Sequence, residues 1–555
     1  MTRTTFLLLM VAFALYLSQP AHSAGGGGWP NWGNGISNNH RAVDETCIRQ
    51  SNVHQLTPKW KLDVPSDVTA VPTVSADGRW VYFPDWNGNV WCVSAATGAV
   101  RWSVRLDAIT DIVGTIDNAT GISSGSLSRN SPALWEDLVL LGDMASGWFF
   151  GLNATDGQLV WRTLLDPHPN AVITMSATVH RDRVLVGVSS TENQFGAVPE
   201  FPCCTFRGSF AALDARSGRV EWQTYMTPAN YSGAPVWGSS PSVDDQLGLV
   251  YVGTGNNYRE TADIRACREQ GTPPGQCLVN PHNHVDSIVA MRLTDGAVAW
   301  ARSFAPGDYL DDAYNLGCNP NYFPANYSAT PNSNCPAVPG ADADFGQAPM
   351  LIAYEVTNDR GRRETRRLVT AGQKNGMMVA LNPATGALAW ARKAGPAGLN
   401  GGAQWGAAFD GQRIVVAITN SNFAEVQGLV PSGGSTYGGL WTALDPADGS
   451  IVWQTAVPEG QAANSSVAAA RGATAYSAVT AANGVFLVGS STKSLGASNY
   501  FALQADTGRI LWDYAPGGSA VSGPSVVSGS VYWGCGYARI GRGCKTFYAF
   551  SVPSC

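Results

Sequence analysis

The sequence predicts an all-β fold, an eight-bladed β-propeller with tryptophan-docking repeats, and three observations carry that reading. One eleven-residue phrase recurs seven times in the 555 residues, ending at Trp102, Trp161, Trp222, Trp300, Trp390, Trp453 and Trp512. Every copy has a glycine four residues before its tryptophan: Gly98, Gly157, Gly218, Gly296, Gly386, Gly449 and Gly508. Trp60 precedes Trp102 by 42 residues without a phrase of its own, while Phe547-Tyr548-Ala549-Phe550 near the other end matches the strand that opens the phrase.

Self-similarity of this kind marks a repeat architecture. The consensus is Ala-Leu-Asp-x-x-Thr-Gly-x-x-x-Trp, which reads as a β-hairpin. A strand ends at Asp or Asn, polar residues turn, glycine takes the φ > 0 position, and the next strand carries the tryptophan. Upstream lies a further strand and tight turn, as in Val81-Tyr82-Phe83, Asn87-Gly88 and Val90-Trp91-Cys92. Three or four short strands in units of about 40–90 residues point to a propeller rather than a sandwich. Each tryptophan is large enough to staple its blade to a neighbour. Trp60 serves as an eighth staple, so the N- and C-terminal strands share one blade and close the ring. The widest spacings leave room for large loops at 259–284 and 307–343. Length alone would suggest about three or four domains. With no linker or composition shift, 24–555 reads instead as one propeller.

Residues 1–23 read as a secretory signal: Arg3, an apolar run of twelve from Phe6 to Leu17, and small residues at Ala21-His22-Ser23. A spanning helix needs about 20 apolar residues, so export to the periplasm or medium is expected rather than a membrane span, with Gly25–Gly28 as a short leader. Eleven cysteines agree with an oxidising compartment. Close pairs suggest Cys267 with Cys277, Cys318 with Cys335 and Cys535 with Cys544. Cys203 and Cys204 adjoin, and Cys47, Cys92 and Cys555 are left, so one thiol stays free. No Cys-x-x-Cys-His is present to attach a haem. Five Asn-x-Ser/Thr sequons add weak support for export. Charged residues are 14%, against about 25% in ordinary soluble domains, and the net charge is −6. An acidic chain poor in lysine is a poor binder of phosphate backbones, which argues against nucleic acid.

An eight-bladed ring built on this seven-copy phrase resembles the quinoprotein alcohol dehydrogenases, which hold pyrroloquinoline quinone (PQQ) and a metal ion at the ring centre. Cys203-Cys204-Thr205-Phe206-Arg207-Gly208-Ser209 and Asp342-Ala343-Asp344-Phe345-Gly346 are similar to the polyvinyl alcohol dehydrogenase branch. A flat tricarboxylate needs an aromatic floor, cationic and hydroxyl partners, and an oxygen-ligated ion. The resemblance implies that Thr174 and Ser189 bond the cofactor carboxylates and that Glu192 ligates the metal, with Glu200 as an alternative. Trp237 follows no phrase and stands before Gly253-Thr254-Gly255-Asn256; it would be the stacking floor, and Asn256 a metal ligand. Lys374, one of only six lysines, would meet the quinone oxygens, and Arg129 a cofactor carboxylate. Asp342 would be the catalytic base and metal ligand, and Asp344 an added ligand of the kind found in lanthanide-using members. Asp312 is the alternative base. The better-known members use a vicinal disulfide near the region of Arg129 as the cofactor's ceiling; this chain has Gly121-Ile122-Ser123-Ser124 there, and the resemblance implies that Cys203 and Cys204, in the loop after Glu192, would be its cofactor-binding pair. Tyr476 stands where an aromatic lining residue is expected.

The resemblance thus implies an exported, PQQ-dependent alcohol dehydrogenase with Ca²⁺ or a lanthanide ion. Its substrate would be an alcohol, small or polymeric and including secondary alcohols, and its electrons would pass to an external acceptor. Two rival readings are a non-catalytic propeller that binds proteins or polymers, and a sugar dehydrogenase of the same fold. Convergence of Glu192, Asn256, Asp342 and Lys374 above Trp237 separates an enzyme from a scaffold.

Overall fold

The structure is a computed structural model. It describes residues 27–196, 198, 201–238, 240–259, 261–272, 280–304, 318, 335, 342–357, 360–398, 400–553 and 555, without the side chains of 263–265 and 268. The expected signal at 1–23, Glu200, Cys277, Asp312 and most of the 307–343 loop lie outside the described residues.

Eight sheets of four or five strands follow one another along the chain. We number them as blades: 1 (73–105), 2 (133–164), 3 (171–225), 4 (242–303), 5 (347–393), 6 (408–456), 7 (480–514) and 8 (525–551). Blade 8 takes its outer strand, Thr57–Asp63, from the N-terminal side, paired antiparallel with Thr546–Ser551. Inner strands such as Leu138–Gly142, Ile414–Ile418 and Val485–Gly489 are buried throughout. Outer strands such as Leu388–Lys393 are exposed except at the docking tryptophan, here Trp390.

The repeated phrase does two physical jobs. All seven glycines have φ between 68° and 77°, a left-handed conformation that L side chains resist. Each also receives an indole from the preceding blade. A Cβ on Gly98 would lie 2.7 Å from Trp60, one on Gly157 2.8 Å from Trp102, and one on Gly386 2.6 Å from Trp300. The same indole then donates to a carbonyl just before that glycine: Trp60 Nε1 to Ala95 O at 3.0 Å, Trp161 to Ala215 O at 3.1 Å, Trp390 to Pro446 O at 2.9 Å. The series runs on to Trp453 with Ala505 and then to Trp512, which donates to Leu56 O at 3.0 Å beside the N-terminal strand. Each staple therefore buries a large apolar ring and satisfies its one donor.

The segment from Trp29 to Ala42 has no counterpart in the sequence reading. Trp29 exchanges backbone bonds with Val74 of blade 1, and Pro30 O accepts from Leu134 of blade 2. Ile36 O, Ser37 O, Asn39 O and His40 O then accept from Val243, Leu351, Phe409 and Ala481, of blades 4, 5, 6 and 7 in turn. Arg41–Ala42 ends alongside Ala481–Ala482. The chain bends repeatedly through left-handed residues, Asn34, Gly35, Asn38 and His40, and Asn tolerates that conformation better than most. Of the three cysteines left over, Cys47 and Cys555 form a disulfide across 508 residues, and Cys92 is a buried free thiol. Disulfides also join Cys203 to Cys204, Cys318 to Cys335 and Cys535 to Cys544.

Candidate active site

Gly253-Thr254-Gly255-Asn256 leaves the inner strand Leu249–Gly253 of blade 4, and Asp342-Ala343-Asp344-Phe345 enters blade 5 beside it. The two glycines are what allow the approach. A Cβ on Gly255 would lie 2.4 Å from Asp344 Oδ1, and one on Gly253 2.6 Å from Phe345 Cβ. With that space, Asn256 N donates to Asp344 Oδ1 at 2.8 Å. The Asn256 side chain bridges the same loop, Nδ2 donating to Asp342 Oδ1 at 3.3 Å and Oδ1 accepting from Ala343 N at 3.3 Å.

Lys374 arrives from the turn after Arg363–Gly372. Its Nζ donates to Asp342 Oδ1 at 2.9 Å and Oδ2 at 3.1 Å, and to Asp344 Oδ2 at 2.9 Å. Trp237 Nε1 donates to the same Asp344 oxygen at 3.1 Å, and Lys374 Nζ stands 5.0 Å from the Trp237 ring centre. Burial raises the Asp342 carboxyl to about 6, against the opposing pull of Lys374. A carboxylate with its pKa near neutrality suits general-base work.

Arg129 is held by its neighbours: Ser128 Oγ donates to Asn130 Oδ1, Asn130 Nδ2 to Met175 O at 2.7 Å, and Ser131 N to Ser176 Oγ at 2.9 Å. These bonds tie the Arg129 loop to the Thr174–Ser176 loop. The guanidinium lies 5.9 Å from the Trp237 ring and 5.0 Å from Trp405. Trp32, Thr69, Trp86, Arg129, Thr174 and Trp405 are among the walls of a narrow cavity there, with Tyr537. Tyr476 joins the aromatic lining, edge-on to Trp405 at 5.9 Å and stacked on Tyr537 at 6.3 Å.

Glu192, expected to converge with Asn256, Asp342 and Lys374, makes none of its hydrogen bonds to them. Its buried carboxylate accepts from Thr205 N at 2.8 Å and Phe206 N at 2.9 Å, and His168 Nε2 is 3.5 Å away. It thus anchors the peptide that follows Cys203–Cys204. Glu192, Asp344 and Lys374 all bear on the buried Tyr258 phenol, whose pKa burial raises first and foremost. Ser189 stays in its strand, opposite Val172.

The structure therefore brings Asp342, Asp344, Asn256, Lys374 and Trp237 together, and Arg129 and Thr174 onto the adjoining cavity. Sequence reasoning missed Trp32, Trp86, Trp405, His168 and Asp286. The three tryptophans follow no phrase, the criterion that singled out Trp237 and that would have flagged them. Asp286 is buried with Oδ1 unpartnered, and the charges of Asp344 and Asp342 reinforce the rise that burial imposes on its pKa. No motif marks it or His168.

The chemistry fits a flat, multiply anionic ring: two cations lie over one indole, and the buried Thr174 Oγ1 has no hydrogen-bond partner. It also fits a hard cation, because Asp342 and Asp344 share one ammonium, Asp286 feels the charge of all three, and buried carboxylates demand compensation. The carboxylates are gathered on Lys374; among the described residues no three acidic, histidine or cysteine side chains converge as an ion's ligand shell.

The family described as "Outer membrane protein assembly factor BamB" (PQQ_2) matches residues 50–302, 374–471 and 438–540. A polyvinylalcohol dehydrogenase of Pseudomonas sp is 28% identical over 540 residues, covering 92% of this chain and 73% of that protein. One from Sphingopyxis sp. (strain 113P3) is 25% identical, covering 92% and 72%. The solved quinohemoprotein alcohol dehydrogenase ADHIIG from Pseudomonas putida HK5 superposes with a TM-score of 0.65 at 16% identity, over 95% of this chain and 81% of its own. That last likeness speaks to the fold.

Proposed function

The chain belongs to the PQQ-repeat propeller family, and from that premise we propose that it is a quinoprotein alcohol dehydrogenase with PQQ and a metal ion at the ring axis. The observation that carries this reading is the meeting of Asp342, Asp344, Asn256 and Lys374 over Trp237. A scaffold propeller has no need to hold buried carboxylates against a lysine. Two relatives named for polyvinyl alcohol make a secondary or polymeric alcohol the favoured substrate.

When bound, the quinone supplies a two-electron acceptor and the cation a Lewis acid. Arg129, Thr174 and Lys374 would hold the quinone's oxygens over Trp237. Asn256, Asp342 and Asp344 would supply oxygen donors to the ion, Ca²⁺ or a lanthanide, while Glu192 is engaged by the amides of Thr205 and Phe206. Asp342 takes the proton of the substrate hydroxyl at a carboxylate oxygen, and Lys374 fixes that carboxylate in place. Buried surroundings exclude water and strengthen each of these interactions. Electrons leave to an external acceptor. No helix among the described residues is long and apolar enough to cross a membrane, which accords with a periplasmic or secreted enzyme.

Reconstitution tests the proposal. Purified protein with PQQ and either Ca²⁺ or La³⁺ should show cofactor binding by absorbance and reduce a dye with secondary alcohols. Absence of both with either ion would return the chain to the scaffold reading that the family's description also allows.

A further inference from the structure

The Trp29–Ala42 segment ties itself to blades 1, 2, 4, 5, 6 and 7 through backbone carbonyls and amides. Asn38 adds a cross-tie, its Nδ2 donating to Ser240 O at 2.8 Å and Pro349 O at 3.1 Å. A segment that meets successive blades in order must pass around the ring's axis. From this segment Trp32 lines the cavity together with Arg129, Thr174 and Trp405. His40 stands edge-on behind Trp32, with ring centres 5.3 Å apart. Behind His40, Gly406 leaves no room, since a Cβ there would lie 3.1 Å from His40 Nε2. Trp32 is 5% exposed and His40 1%.

We propose that this strap is the stopper of the axial cavity and that Trp32 is the positioning residue that closes it. One end of the cavity is then shut by the chain's own N-terminal segment, and ligands reach Arg129 and Thr174 only from the side away from the strap. A closed end also gives a bound flat ligand a fixed backstop in place of mobile water. The part of this inference that concerns PQQ rests on the proposed function; the closure itself does not.

The test uses Thr174→Cys as a reporter, because Thr174 lines the cavity and the only free thiol among the described residues, Cys92, is buried. A small methanethiosulfonate reagent should label this cysteine slowly in otherwise unaltered protein, because the narrow cavity is then entered by a single route, on the side away from the strap. Adding Trp32→Ala should speed labelling about tenfold or more, since local opening sets access to a buried group, and Trp32→Phe should restore the slow rate. Amide exchange at Val243, Leu351, Phe409 and Ala481 reports whether the strap is still seated. Faster labelling with these amides still protected supports the stopper. Unchanged labelling, or labelling that rises only when the amides lose protection, overturns Trp32 as the closing residue. If Trp32→Ala does not fold, Trp32→Leu carries the same comparison. In a second arm, Trp32→Ala should release bound PQQ faster with the melting temperature preserved. Failure of the unaltered protein to bind PQQ would sink the quinoprotein reading, and the labelling result would still decide the stopper.

Discussion

Replacing His40 should change how stability depends on pH. Burial lowers this imidazole's pKa from 6.5 to about 3, and neither ring nitrogen has a hydrogen-bond partner. The folded protein therefore holds His40 neutral down to about pH 3, whereas the unfolded chain takes up a proton below 6.5. Stability rises with pH wherever the unfolded state binds more protons, so the loss sets in as pH falls through 6.5 and is complete near 3. The whole interval corresponds to about 5 kcal/mol at 1.36 kcal/mol per pH unit. Between pH 7.5 and 5.0 the share is about 2 kcal/mol. His180 and His284 are lowered by burial too and act in the same sense, while Asp67, Asp85 and Asp143 are raised by burial and act in the opposite one. The informative quantity is thus a difference. Urea unfolding of the parent and of His40→Asn, which tolerates the left-handed backbone there, should be measured at both pH values. The parent should lose about 2 kcal/mol more than the variant on acidification. Equal losses in the two proteins would refute the account of His40 as a buried, unprotonated group.

Gly386→Ala should destabilise by about 2–4 kcal/mol, because it combines a left-handed backbone with a collision against Trp300, and calorimetry would show the drop in Tm. Opening the terminal clasp with Cys47→Ser should lower stability by about 2–5 kcal/mol, read by denaturant unfolding, while leaving PQQ binding in place. Asp342→Ala should retain PQQ and lose turnover by about 10²–10⁴-fold; dye reduction beside an absorbance titration separates the two, and full activity would mean that Asp342 is not the base. Glu192→Gln should weaken the anchor of Thr205 and Phe206, and faster amide exchange at those two positions would reveal it.

The repeat was legible because its instructions are local. Eleven residues encode the turn, the left-handed glycine and the docking ring, so seven copies announce the blades without any knowledge of their partners. The site was legible where short motifs carry it. Asp342, Asp344 and Lys374 fall within one blade's span, and Gly255-Asn256 records in its glycine the space that Asp344 occupies. The strap left no such trace. Its bonds are made by backbone carbonyls, which every residue has, to blades spread from Val74 to Ala481. Only the run of Asn and Gly from Asn31 to Asn39, suited to left-handed bends, hints at its course. The pairing of Cys47 with Cys555 was equally hidden, since three leftover cysteines allow three pairings and spacing favours none. Glu192 shows the limit of motif reasoning: its residue type was matched, but the hydrogen bonds it makes to Thr205 and Phe206 come from a loop whose path no spacing rule predicts.

The division of blade 8 between an early and a late segment of the chain has a consequence for biosynthesis. A ribosome makes Thr57–Asp63 long before Thr546–Ser551. Until the later strand is made the earlier one has no sheet to join, and the nascent chain carries an unmatched edge. Blades made in between can form locally, yet the final topology waits for Thr546–Ser551. A polypeptide arranged in this way stays threadable until both strands of that blade exist, and its vulnerable period is set by the time taken to make the residues between them rather than by the speed of any single hairpin.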